Sequence, residues 1–186
     1  DFVKLNNGKV VIEIEEVGIG SDTLSFDEYV ELRLMSLIIK ITSATPCYKS
    51  IFKFMKSYNV TIFDLVFSML KNTHIASDNL RKFFEEFKQY TIDELWDSGE
   101  ELIQHYQNPH EYEKLLNGSA GQNVAFYFHA IAISEHMSDF TDFCIKTAKK
   151  LIEKNTDEDF STELNAVSEY CHGSCQNIFG EDRLKT

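Results

Sequence analysis

The segment Cys171-His172-Gly173-Ser174-Cys175 gathers the densest set of soft donors in the chain. Two thiols four residues apart face the same way on a helix, and the adjacent imidazole could add nitrogen ligation to zinc. A structural zinc site takes four ligands, however, and no second Cys/His pair lies nearby. Cys171, His172 and Cys175 are therefore weak metal candidates, set against a reading as free or partly buried thiols. The remaining cysteines, Cys47 and Cys144, are distant in sequence. The four do not read as a disulfide framework, and a reducing cytoplasm is the compartment expected of them.

The second constellation lies in the apolar stretch 122–137. Asn123, Tyr127 and His129 interrupt it, and Glu135 and His136 stand near its end. Buried polar groups need partners, which the protein, water or a ligand must supply. Asn123, Tyr127, His129 and Glu135 are thus the ligand-binding candidates, with Asn123 and Tyr127 sharing a helix face and His129 on another. The competing reading is a core helix with internally satisfied hydrogen bonds, in which truncating Phe126 or Ile131 would open a cavity. Other chemistries lack their residues. A di-iron bundle needs Glu-x-x-His on two helices, and the chain has it once, at Glu169–His172. Gly18-Ile19-Gly20 lacks the third glycine of a dinucleotide loop. No serine or cysteine sits in a nucleophile elbow, and no catalytic residue is assigned.

The elements that must carry these groups follow from local signals. Residues 2–5 and 9–16 flank Asn6-Asn7-Gly8, a turn that supplies positive φ, and Val10, Ile12 and Ile14 alternate with Val11, Glu13 and Glu15. A connector with Gly18 and Gly20 follows. Ser25-x-x-Glu28 is a capping box opening a helix to about residue 42. Pro46 begins a second helix, Thr61-x-x-Asp64 caps a third and Ser77 a fourth with Leu80, Phe83, Phe84 and Phe87 on one face. Thr91-x-x-Glu94 and Ser98-x-x-Glu101 read as two further capping boxes around Trp96. Asn108-Pro109 opens a short helix closed by Gly118, and helices over 122–137, 138–154 and 159–177 complete the chain.

With 186 residues, 15 Phe and only 2 Pro and 8 Gly, the expected fold is mainly α: a multi-helix orthogonal bundle preceded by an N-terminal β-hairpin. The expected organisation is hairpin and connector over 1–24 and a helical domain over 25–186. A net charge of −12 argues against binding nucleic acid, whose phosphates demand a basic face. No stretch has the length of a membrane span, and no signal-peptide pattern opens the chain. The first residue is Asp, which suits a trimmed piece of a longer polypeptide.

Two passages carry a family resemblance. Glu15-Glu16-Val17 and Asp22-Thr23-Leu24-Ser25-Phe26-Asp27-Glu28-Tyr29-Val30-Glu31-Leu32-Arg33-Leu34 resemble the segment after the barrel of cobalamin-binding-domain-containing radical S-adenosylmethionine (SAM) proteins. Glu100-Glu101-Leu102-Ile103, Tyr106, Asn108-Pro109, Leu115-Leu116-Asn117-Gly118, Gly121-Gln122-Asn123, Tyr127 and Ala130 are similar to the C-terminal helical region of the same proteins. The family's C-x-x-x-C-x-x-C cluster motif is absent: Cys171 and Cys175 have its first spacing, but Ile178 occupies the third position. No His carries the Asp and Gly offsets of the cobalamin motif. The resemblance therefore implies a non-catalytic accessory domain with no cofactor of its own. SAM, an iron–sulfur cluster and cobalamin are implied only for a parent enzyme. The implied partners are the preceding barrel and cobalamin domains of the same polypeptide, with a homodimer expected in isolation. The alternative is a stand-alone helical module that binds a protein or an apolar ligand.

Overall fold

The computed structural model describes residues 2–175. They form a mainly α bundle behind an N-terminal antiparallel hairpin, in the order β1 (Phe2–Lys4), β2 (Val10–Ile12), α1 (Phe26–Ala44), α2 (Tyr48–Ser57), α3 (Ile62–Lys71), α4 (Asp78–Asp93), α5 (Gly99–Tyr106), α6 (Pro109–Leu116), α7 (Val124–Glu135), α8 (Met137–Ile152) and α9 (Ser161–Cys175). A 3₁₀ turn, Thr73–Ile75, joins α3 to α4.

The caps that the sequence advertises are made, Thr91 excepted. Ser25 Oγ accepts from the Glu28 backbone N–H while Glu28 accepts from that of Ser25, and Thr61 and Asp64 repeat the exchange. Ser77, Ser98 and Asn108 cap α4, α5 and α6 through their side chains. Thr91 is a correction. It lies inside α4, fully buried, because α4 continues to Asp93 on the strength of its Leu80, Phe83, Phe84 and Phe87 stripe. Burial of that stripe outweighs a local capping option.

One large core collects Leu34, Leu37, Ile38 and Ile41 of α1, Tyr48, Ile51 and Met55 of α2, the α4 phenylalanines, Phe128 of α7, Phe140 and Phe143 of α8, and Leu164 of α9. Tyr48 brings its hydroxyl in with it, and that group meets Thr141 Oγ1 of α8 at 3.0 Å. A buried hydroxyl is tolerated because it is paired. Burial raises the Tyr48 phenol well above its usual range, so it stays protonated.

A second, small core lies at the hairpin. Val10 packs with Tyr112 and Leu115 of α6, and Ile12 and Tyr106 join it. The ladder is shorter than the alternation over 9–16 suggests, pairing Phe2 with Ile12, Val3 with Val11 and Lys4 with Val10. Beyond Ile12 the chain leaves the ladder, and Ile14, though exposed, lies against Gly99 at the start of α5. A β-carbon on Gly99 would stand 3.0 Å from Ile14 Cδ1. The turn holds Gly8 at φ +82°, as Asn-Gly predicts. No helix among the described residues is long and apolar enough to cross a membrane.

Candidate functional site

The four residues singled out on α7 do not converge. Asn123 is the N-cap, exposed, its Oδ1 accepting from the Phe126 N–H at 3.1 Å. Tyr127 is exposed and stacks on Tyr90 of α4, ring centroids 6.2 Å apart. Glu135 is exposed at the far end of the helix. His129 faces α1: its Nε2 is buried without a hydrogen-bond partner, and burial, then the Lys40 charge, lower its pKa. The expected core helix is instead a boundary helix. Only Val124, Phe128 and Ala132 are buried, an i, i+4, i+8 stripe against α1, α4 and α8. Phe126 is 65% exposed, with Lys40 Nζ 3.1 Å from its ring centroid.

The cysteines also rearrange the expectation. Cys47, at the start of α2, forms a disulfide with Cys175, at the end of α9. That overturns the reading of Cys175 as a free or partly buried thiol, and the pairing was hidden by a sequence separation of 128 residues. Cys171, one turn before Cys175, donates through Sγ to the Cys47 carbonyl at 3.4 Å, and burial pushes its thiol up to about 11. Cys144 is fully buried beside it as a second free thiol. His172 points the other way, its Nε2 3.1 Å from Asp142 Oδ1 of α8. Residues 171 and 175 share a helix face that 172 cannot share, so the three weak metal candidates are split. Among the described residues no group of three or more His, Cys, Asp or Glu side chains could hold a metal ion.

Concavity lies elsewhere, where the hairpin meets the bundle. A groove of about 570 Å³ is walled by Phe2, Ile12, Glu13 and Glu15 from the hairpin side and by Tyr90, Asp93 and Glu94 from the end of α4. Trp96 follows, then Leu102 and Tyr106 of α5, the 119–122 loop, and Val124 and Tyr127 of α7. Of the four α7 candidates, it takes in Tyr127 alone. A cleft of about 390 Å³ adjoins it, sharing Glu15, Glu94, Trp96 and Leu102.

Local structure explains why these walls stand open. The α4 helix ends at Asp93 and α5 does not begin until Gly99, so Trp96 sits in a turn with its ring 39% exposed. The indole rests on His105, centroids 4.9 Å apart, and His105 Nε2 lies 3.1 Å from Glu111 Oε2 of α6. Glu111 also accepts from Lys114 Nζ at 2.8 Å. The Lys114 hydrogen bonds and one from His110 Nδ1 at 3.3 Å, helped by the charges of Lys114 and His105, hold its carboxyl down at about 2. On the opposite wall Gly121 has φ +69°, and a β-carbon there would meet Leu115 Cδ2 at 2.8 Å. Gln122 anchors the same loop by donating to the Gly118 carbonyl. Half-burial raises the Glu94 carboxyl, opposed by the Arg33 guanidinium of α1 at 2.7 Å.

Sequence reasoning missed Trp96, Tyr90, Tyr106 and the carboxylates around them. The signal available was the density of aromatic and acidic residues over 90–106, read as capping chemistry instead. No protein-family model, curated protein or solved structure matches this chain.

Proposed function

We propose that the chain is a helical ligand-binding module whose site is the groove between hairpin and bundle. One observation carries this reading: four large aromatic side chains, Phe2, Tyr90, Trp96 and Tyr127, stay exposed and line the same concavity. Exposed aromatics scattered over a surface need no explanation, whereas a cluster in a concave site offers a ligand apolar area and orienting edges. The walls come from segments far apart in sequence and are braced by the Glu111 cluster and by Gly121. Such a site is largely formed before a ligand arrives.

Trp96 is the chain's single tryptophan, which makes the test direct. A panel of small aromatic and aliphatic fragments, titrated with Trp96 fluorescence and backbone amide shifts as readouts, is expected to give saturable changes clustered at Phe2, Glu15, Tyr90, Trp96 and Tyr127. Changes confined to other surfaces, or none for any fragment, would sink this assignment.

A second reading, the accessory helical domain of a cobalamin-type radical SAM enzyme, has its own supporting feature. Val3, Leu5, Val11, Val17 and Ile19 of the hairpin and connector are all exposed. A preceding barrel seated there would cover them, and in isolation a second copy could pair with the hairpin edge. The cysteines do not fit a cluster-binding role, because Cys47 and Cys175 are bonded to each other while Cys144 and Cys171 are buried. In this reading SAM, cluster and cobalamin belong to the parent enzyme. Amide hydrogen exchange on the chain with and without the preceding domains checks it: protection of residues 2–19 is expected only with them present. A cytoplasmic location belongs to both readings, and the Cys47–Cys175 bond counts against it, because disulfides are rare in a reducing compartment.

A further inference from the structure

Among the described residues, the charged side chains that line the groove are all acidic: Glu13, Glu15, Asp93 and Glu94, with no Lys, Arg or His. The adjoining cleft repeats the pattern with Glu16 and Asp97, again with no basic lining residue among the described residues. Arg33 pairs with Glu94, and the imidazole of His105 lies against Trp96. Independently of the carboxylates, the walls are aromatic, and aromatic faces carry negative quadrupole potential that attracts cations, tryptophan most strongly.

From these two features together we propose that the groove selects a small organic cation with an apolar body, of the substituted-ammonium class. This rests on the groove being the binding site and adds the charge of what enters it. A neutral apolar ligand would leave the carboxylates partly desolvated with nothing gained in return. An anion would meet both the carboxylates and the aromatic faces. A metal cation is a poor match, because among the described residues no three His, Cys, Asp or Glu side chains are grouped to hold one. An alkylated ammonium carries a diffuse, weakly hydrated charge and methyl groups that pack against rings, so it satisfies both features of the groove.

Three probes of nearly constant shape isolate charge: choline, its neutral isostere 3,3-dimethylbutan-1-ol, and 3,3-dimethylbutanoate. Each is titrated into the full chain with Trp96 fluorescence and amide shifts as readouts. Choline is expected to saturate with shifts at the groove, to bind at least about tenfold more tightly than the alcohol, and to weaken several-fold as salt is raised from low to physiological strength. The butanoate is expected to show no saturable change. In a Glu15→Gln/Asp93→Asn variant, whose circular dichroism and unfolding midpoint verify the fold, choline should approach the affinity of the alcohol. Equal binding of choline and alcohol would overturn the cation inference while leaving the groove as a site. Failure of all three probes, together with a silent fragment panel, would overturn both. Choline binding that the double variant does not weaken, or that shifts residues outside the groove, would also overturn the inference.

Discussion

His129 is the residue whose environment departs furthest from what its neighbours in sequence suggest. It sits in a boundary helix, yet its Nε2 is buried and unpaired, facing a side of α1 that carries Lys40. Burial and the Lys40 ammonium both oppose protonation, so the folded pKa falls below 6.5. The sign follows from linkage. The unfolded chain takes up this proton more readily, so the neutral ring contributes stability above the unfolded value, and that contribution is lost as pH falls through the lower folded value. An NMR titration of the imidazole should give a midpoint below that of a model peptide. His129→Gln should flatten this part of the stability profile below about pH 6.5. A midpoint at or above the peptide value would show that the ring is solvated.

At the scale of elements, α7 separates the two jobs that its sequence blends. Its cap is local and its packing stripe is not. Asn123→Ala should cost about 0.5–2 kcal/mol, the value of a lost N-cap, with groove binding retained. Phe128→Ala should cost about 3–5 kcal/mol, because it empties a site in contact with Phe83, Phe87 and Tyr90. Phe126→Ala should cost no more than about 1 kcal/mol, since the ring is exposed and meets chiefly Lys40. Urea denaturation of the three variants checks the order, and a large loss at Phe126 would contradict the placement of this helix. The type of α7 was plain in the sequence from its Asn123 cap and apolar run. Which side would be buried was not, because a helix apolar all round has no preferred face until neighbours choose one.

For the molecule as a whole, the Cys47–Cys175 bond ties the start of α2 to the end of α9 and closes most of the chain into one loop. In the chain-entropy account such a long closure removes much of the unfolded state's freedom. Cys47→Ser/Cys175→Ser should therefore lower the unfolding free energy by roughly 2–4 kcal/mol, with the native circular dichroism kept. A thiol assay in denaturant should count two reactive cysteines before reduction and four after it. Four before reduction would place the chain in its dithiol form.

The sequence alone determined the secondary structure to within a turn at most helix ends, because caps such as Ser25-Glu28 and Thr61-Asp64 and the α4 phenylalanine stripe act between residues three or four apart. It also determined the hairpin turn at Gly8, since only a few residue types accept that backbone. The helix expected over 159–177 reaches past the described residues at 176 and 177, and Ile178 lies outside them as well. Tertiary structure decided the rest. It overruled Thr91 as a cap by burying α4, joined Cys47 to Cys175, split Cys171 and Cys175 from His172, and left Tyr127 in the groove while turning His129 toward α1. It also set the hairpin carboxylates opposite Tyr90 and Trp96. Those outcomes depend on contacts between residues tens of positions apart, whose free energy comes from shared burial and has no imprint on local spacing.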